Sequence, residues 1–235
     1  MADLAPEERL EILEHADIEV EGRMPWSSNA TLLCTLTCGE VEARAIYKPR
    51  RGERPLWDFP GGLDKREVTA YRLSGDLGWD LIPETILRDG PHGVGSLQWF
   101  VDADFEQHYF TLVDDEANHA QLKAMCAFDF VANQTDRKGG HCLVDGDGHI
   151  WGIDNGLSFH REFKLRTVIW HFEGEPVPDE LLDDLSRWLD HDGPAALDML
   201  DAFEVDAVRT RARALVEAGS FPVDESGHRH PWPLV

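Results

Sequence analysis

Two stretches of this sequence gather residues capable of chemistry. One is Asn133-Gln134-Thr135-Asp136-Arg137-Lys138-Gly139-Gly140-His141, and the other, whose aspartate follows Asp136 by 18 positions, is Ile153-Asp154-Asn155-Gly156-Leu157-Ser158-Phe159. Between them, Cys142-Leu143-Val144 and Ile150-Trp151-Gly152-Ile153 flank Asp145-Gly146-Asp147-Gly148, which is a hairpin signal. Each aspartate is thereby presented on an irregular segment beside a small hairpin. Carboxylates placed this way suit metal-assisted phosphoryl transfer, in which one orients an attacking hydroxyl and the other holds Mg²⁺ against a nucleotide. Taken singly, each segment also has a plain reading: Asp136-Arg137 as a surface ion pair, Asp154-Asn155-Gly156 as a turn.

The flanking pattern supplies elements to hold these segments. A short helix is predicted from the run Asp3 to Leu10, with Pro6 and early acids in its first turn. Residues 30–38 and 41–48 read as a hairpin turning at Gly39-Glu40, its second strand ending in Lys48. Residues 49–64 hold Pro49, Gly52, Pro55, Pro60, Gly61 and Gly62 and are expected as an ordered loop or an insertion, with Trp57 and Phe59 either walling a pocket or, the favoured reading, capping a core. A helix with Val68 and Tyr71 inward is predicted over 65–73, and strands over 85–89 and 96–101. Past Asp102 the pattern turns helical, over 118–132, around Leu181 to Leu189, and around Val208 to Val216. The predicted class is α+β in two lobes, a β-rich lobe over 1–101 and a helical lobe over 102–235. The tail from Ser220 to Val235 is expected to be loose.

Composition narrows the partners. At 235 residues and 42% hydrophobic content the chain can bury a core in each lobe. Its net charge of −23 repels phosphate backbones and anionic head groups over ~8 Å at physiological ionic strength, which argues against nucleic acid and against stable membrane association. There is neither an apolar run of spanning length nor a signal-like start, so a cytoplasmic protein is expected. The four cysteines, Cys34, Cys38, Cys126 and Cys142, form no CxxC pair and are expected as reduced thiols.

Together the two segments resemble the catalytic and metal-binding loops of the phosphatidylinositol 3- and 4-kinase family. The likeness is greatest to its type II 4-kinase branch, where Asn-x-Thr-Asp-Arg precedes Ile-Asp-Asn-Gly-Leu-x-Phe, and extends to small bacterial proteins grouped with it. It runs in order over residues 41–172. The resemblance implies a two-lobed protein-kinase-like fold that uses ATP and Mg²⁺, and a histidine at position 141 opens Mn²⁺ as an alternative. It implies that Lys48 grips the α- and β-phosphates and that Glu67, 19 residues later, pairs with it. Asp136 takes the place of the catalytic aspartate, Lys138 that of the lysine touching the transferred phosphoryl, and Asp154 that of the metal ligand. Gln98 and Phe100 lie in a stretch resembling the hinge whose backbone meets adenine. Ser27 and Ser28 stand where a serine-rich loop would cover the phosphates. Arg161, Lys164 and Arg166 occupy the activation segment, either facing substrate or pairing with the chain's own acids.

His141 departs from the pattern. Five residues after the catalytic aspartate, such kinases supply an asparagine to a second metal. A histidine there is either a ligand, softer than Mg²⁺ prefers, or a hydrogen-bond partner orienting Asp154 or Asp136. The expected activity is transfer of the γ-phosphate of ATP to a hydroxyl, on a soluble inositol-like molecule or a protein side chain. Nothing resembles the cysteine-rich membrane insert of type II 4-kinases, which makes a bilayer lipid a weaker candidate. Two alternatives stand beside this: an ATP-binding pseudokinase without turnover, and an enzyme that transfers AMP.

Overall fold

In residues 32–49 apolar side chains alternate with polar ones, and this stretch forms the middle of a five-stranded antiparallel sheet in a computed structural model that describes residues 4–24, 29–191 and 195–235. Strands β1 (Asp17–Arg23), β2 (Leu32–Cys38), β3 (Val41–Pro49), β4 (Thr85–Gly90) and β5 (Gly93–Trp99) lie in the order β1-β2-β3-β5-β4. Helix α1 (Pro6–His15) covers one face. Its proline sits in the first turn and the Glu8 carboxylate accepts from the Ala5 N–H, satisfying one of the free amides at the helix start. Leu13, Cys34, Leu36, Ala45, Tyr47 and Leu97 form the core between helix and sheet.

The 30–48 hairpin forms as expected, with Cys38 opposite Val41 across the Gly39-Glu40 turn. Strand β1 has no counterpart in the sequence reading. It is an edge strand on which Ile18 and Val20 are half-buried between exposed acids, and those acids discourage edge-to-edge pairing. Strand β5 begins three residues before its predicted start and ends two before its predicted end. Gly95, just before the predicted strand, pairs with Pro49 inside the ladder. A Cβ there would lie 2.3 Å from the Lys48 carbonyl oxygen, so the close approach of β5 to β3 behind Lys48 requires glycine.

Helix α2 (Leu63–Leu77) starts two residues earlier than predicted, bounded by Gly62 and Gly78 in left-handed conformations. Val68 is buried and Tyr71 half-buried. The helix leans on both halves of the molecule, because Ala70, Leu73 and Leu77 join the second core. That core belongs to α4 (His119–Ala132), α5 (Asp179–Leu189) and α6 (Ala202–Ala218), with the short α3 (Tyr109–Leu112) and the hairpin β6 (Cys142–Val144)–β7 (Ile150–Gly152) beside them.

Two expectations are corrected. The tail is not loose: Phe221 is buried, the Arg229 carbonyl accepts from the Thr167 N–H at 3.1 Å, and the Leu234 carbonyl accepts from the Gly139 N–H at 2.7 Å. Its prolines cannot continue a helix, but its carbonyls satisfy an amide of the 133–141 segment, at Gly139, and one beyond the 153–159 segment, at Thr167. In the 49–64 loop Phe59 is buried as expected, whereas Trp57 is 95% exposed and caps nothing. The four cysteines are free thiols. Among the described residues no helix is long and apolar enough to cross a membrane.

Candidate active site

Sheet and helices meet at Lys48. Strand β3 carries it to the point where its ammonium pairs with Glu67 of α2 and reaches Asp154 Oδ1 at 2.9 Å. Burial pushes the Lys48 ammonium down, but the Asp154 and Glu67 charges outweigh burial and hold it protonated. Glu67 has a second partner, accepting the Asn155 N–H on Oε2 at 3.0 Å. One carboxylate on α2 therefore fixes the strand lysine and the loop after Asp154 together.

Asp154 has φ +59°, a left-handed conformation that costs a β-carbon residue about 1 kcal/mol or more. Its side chain is 51% exposed. Lys48 lowers its pKa well below the usual carboxylate range, against the opposing effect of burial, and His141 assists. A hard, ionised and half-exposed oxygen donor of this kind could hold a divalent cation. Gly156 allows this loop to lie against α2. A Cβ there would sit 3.2 Å from Leu63 Cβ and 3.3 Å from Glu67 Oε1. Gly156→Ala is expected to cost ~1–2 kcal/mol by overpacking, read as a lower urea midpoint with unchanged slope. An unchanged midpoint would show that the two elements are not in tight contact.

Asp136 stands on the turn after α4. Its Oδ2 accepts from Lys138 Nζ at 2.7 Å and its N–H donates to Gln134 Oε1 at 3.1 Å. Burial raises its pKa, with Lys138 pulling the other way. His141 ends the short turn that follows; its Nδ1 lies 3.3 Å from the Lys138 N–H and its Nε2 faces Asp154 Oδ2 at 3.5 Å. Burial lowers the His141 pKa to about 4, so the ring is neutral.

Several residues that organise the site carried no assigned role in the sequence reading. Arg137 is no surface partner of Asp136. It is fully buried, chelates Asp129 of α4 through Nε and Nη2, and donates to Ile153 O at 2.7 Å and Asn155 Oδ1 at 2.8 Å. Thr167 Oγ1 closes the cluster on Asp129 at 2.9 Å. The signal for Asp129 was present: an acid among Met125, Cys126, Phe128 and Ala132 on a buried helix requires an internal partner. Asn133 ends α4 in a left-handed conformation, donates to the His160 and Glu162 carbonyls, and accepts the Lys164 N–H at 2.8 Å, which ties residues 160–164 to the turn after α4.

The remaining predicted residues divide. Lys164 donates to the Asp58 carbonyl at 2.6 Å, so its ammonium serves the 49–64 loop. Arg161 and Arg166 are exposed and have no ion pair among the described residues, and Arg166 acts on Asp136 through its charge. Gln98 is buried in β5 with its amide on Thr85 Oγ1 at 2.9 Å. The Phe100 N–H is taken by the Arg44 carbonyl at 3.2 Å, and its ring lies under the Arg44 guanidinium at 4.2 Å. Ser27 and Ser28 fall outside the described residues.

With this geometry in view, the comparisons with known proteins are informative. The sequence pattern of the family described as "Phosphatidylinositol 3- and 4-kinase" matches residues 77–201, a span that includes Asp136 and Asp154. Protein Rv2133c of Mycobacterium tuberculosis is 39% identical over 261 aligned positions, covering 94% of each chain. Among solved structures, the Golgi casein kinase superposes with a TM-score of 0.53 at 13% identity, covering 95% of this chain and 80% of its own. Hydra Fam20, solved with sugar, does so at 0.55 and 12%, covering 92% and 88%. At such identities the two structures show the fold, which is protein-kinase-like and α+β.

Proposed function

Because the chain belongs to the phosphatidylinositol 3- and 4-kinase family, we propose that it is an ATP-dependent phosphotransferase that moves the γ-phosphoryl group of ATP to a hydroxyl. The observation that carries this reading is Lys48 held between Glu67 and Asp154, which joins the two halves of the molecule at one ammonium. Residues 1–101 serve as the nucleotide lobe and 102–235 as the lobe that brings acceptor and metal.

Lys48 binds the α- and β-phosphates with a charge already fixed in place, and Glu67 positions it. Asp154 is the protein's ligand to the divalent cation, which when bound neutralises charge on the β- and γ-phosphates. Asp136 orients the acceptor hydroxyl and takes its proton, while Lys138 lies alongside to meet the phosphoryl group. The exposed Arg166, whose charge acts on Asp136, would meet an anionic acceptor. With a net charge of −23 the chain favours a soluble polyol or a protein side chain over a lipid in an anionic bilayer.

The test is product analysis. Incubation with ATP and Mg²⁺ or Mn²⁺, with and without inositol or a protein acceptor, is expected to yield ADP. Asp154→Ala is expected to slow that by ~10²-fold or more, since the metal's charge is worth several kcal/mol at the transition state. A loss below tenfold would remove Asp154 as the metal ligand. Pyrophosphate with AMP left on an acceptor would replace phosphoryl transfer with nucleotidyl transfer, and tight binding without product would make the chain a nucleotide sensor.

A further inference from the structure

Lys48 is not the only cation at the end of β3 that grips α2. Two positions on, Arg50 opens the short turn Arg50–Gly52, and Pro49 between them is extended, so both side chains leave the backbone on one side. Positions two apart on an extended chain stand ~6.6 Å apart. On α2, Asp64 and Glu67 are three apart, which brings helix β-carbons to ~5–6 Å on one face. The spacings match, and the two cations meet the two acids. Lys48 pairs with Glu67, and the Arg50 guanidinium lies along Asp64, with Nε at 3.2 and 3.0 Å from the two oxygens and Nη2 at 2.8 Å from Oδ2. The Asp64 side chain is inaccessible to solvent, so this contact is shielded on its acidic side.

The chain after Lys48 holds α2 in a second way. The Glu53 carboxylate accepts the Gly62 and Asp64 N–H groups, each at 3.1 Å, and the latter is one of the amides a helix start leaves free. The same stretch bonds the two residues that follow Ser28: the Ala30 N–H donates to the Gly52 carbonyl at 3.3 Å and the Arg54 N–H to Asn29 Oδ1 at 3.1 Å. An ammonium shared between Glu67, Asp154 and arriving phosphates is a poor anchor for a helix, whereas a guanidinium laid along one carboxylate is a directional one. We propose that Arg50 is a positioning residue for nucleotide binding: with Asp64 it holds α2 where Glu67 stands beside Lys48, so that the ammonium is aimed before the phosphates arrive. The inference rests on the phosphotransferase reading and adds a residue that acts through Lys48 at that same site.

The experiment measures ADP formation by the full chain at varied ATP with Mg²⁺ and, without turnover, calorimetric affinity for a non-hydrolysable ATP analogue with Mg²⁺. If losing the contact leaves about one molecule in ten with α2 in place, apparent affinity falls about tenfold. Arg50→Met is therefore expected to raise the KM for ATP and the Kd for the analogue by about tenfold while kcat stays within about threefold of wild type. Arg50→Lys, which keeps a cation, should recover most of that loss. Arg72→Met removes an exposed pair with Asp198 farther along α2 and should change neither constant. Because Arg50→Met leaves the Asp64 carboxylate buried without a partner, Arg50→Met with Asp64→Leu is measured beside it, and the same loss of affinity is expected in a protein with no unpaired charge. Affinity within about twofold of wild type in the double variant would show that packing alone places α2, and would overturn the proposal while leaving the kinase reading intact. An equal loss from Arg72→Met would overturn it too, since any weakening of the helix would then suffice. A wild type that binds no nucleotide would overturn this proposal and the kinase reading together.

Discussion

Replacing Asp136 with asparagine is expected to lower kcat by ~10²–10⁴-fold and to leave the KM for ATP nearly unchanged. The two side chains have the same shape, so the turn after α4 and its Asp136 N–H to Gln134 Oε1 bond should survive. What is lost is a group that can take a proton from the acceptor hydroxyl. ATP binding should be spared because the residue proposed to meet the phosphates is Lys48, whose partners are Glu67 and Asp154, not Asp136. A second signature follows from burial, which raises the Asp136 pKa above its ordinary value even though Lys138 opposes it. A raised base pKa means activity falls, as pH is lowered, at a higher pH than for an exposed aspartate. That acid limb in kcat should be absent from the residual activity of the asparagine variant. A loss of less than tenfold, or an unaltered pH profile, would show that Asp136 does not act on the proton.

The sequence revealed the ends of this site better than its supports. Asp136 and Asp154 stand in runs of turn-forming residues whose spacing around a hairpin is itself a signal, and Lys48 closes a strand with clear alternation. These features are local, so they can be read from neighbouring positions. The residues that bind the two loops together act over long separations: Glu67 reaches Asn155 across 88 positions, and Asn133 reaches Glu162 across 29. No period in the sequence reports such contacts. Gly156 shows the same limit, since glycine reads as a turn whether the chain bends there or another element approaches closely. The tail was misread for a related reason. Its prolines exclude regular structure but do not prevent its carbonyls from accepting bonds at Gly139 and Thr167.

Arg137 provides the largest expected effect on stability. Its guanidinium and the Asp129 carboxylate are both inaccessible to solvent. Desolvation alone would favour losing the guanidinium's proton, but the Asp129 charge and hydrogen bonds prevail and keep it protonated. Arg137→Met removes one charge and leaves the other buried without a partner, which typically costs ~3–5 kcal/mol. In a chain of this size each kcal/mol lowers the Tm by about 2–4 °C, so calorimetry should find a fall of roughly 6–20 °C. The double variant Arg137→Met with Asp129→Leu separates charge from packing. With neither charge buried, much of the stability should return, because a buried ion pair repays little more than its own desolvation. Activity should not return with it. The same guanidinium holds Ile153 O and Asn155 Oδ1, so the double variant should fold while its Asp154 loop loses register with Asp136. A stable and fully active double variant would mean that the loop keeps its place without Arg137, leaving the cluster no part in aligning the two aspartates.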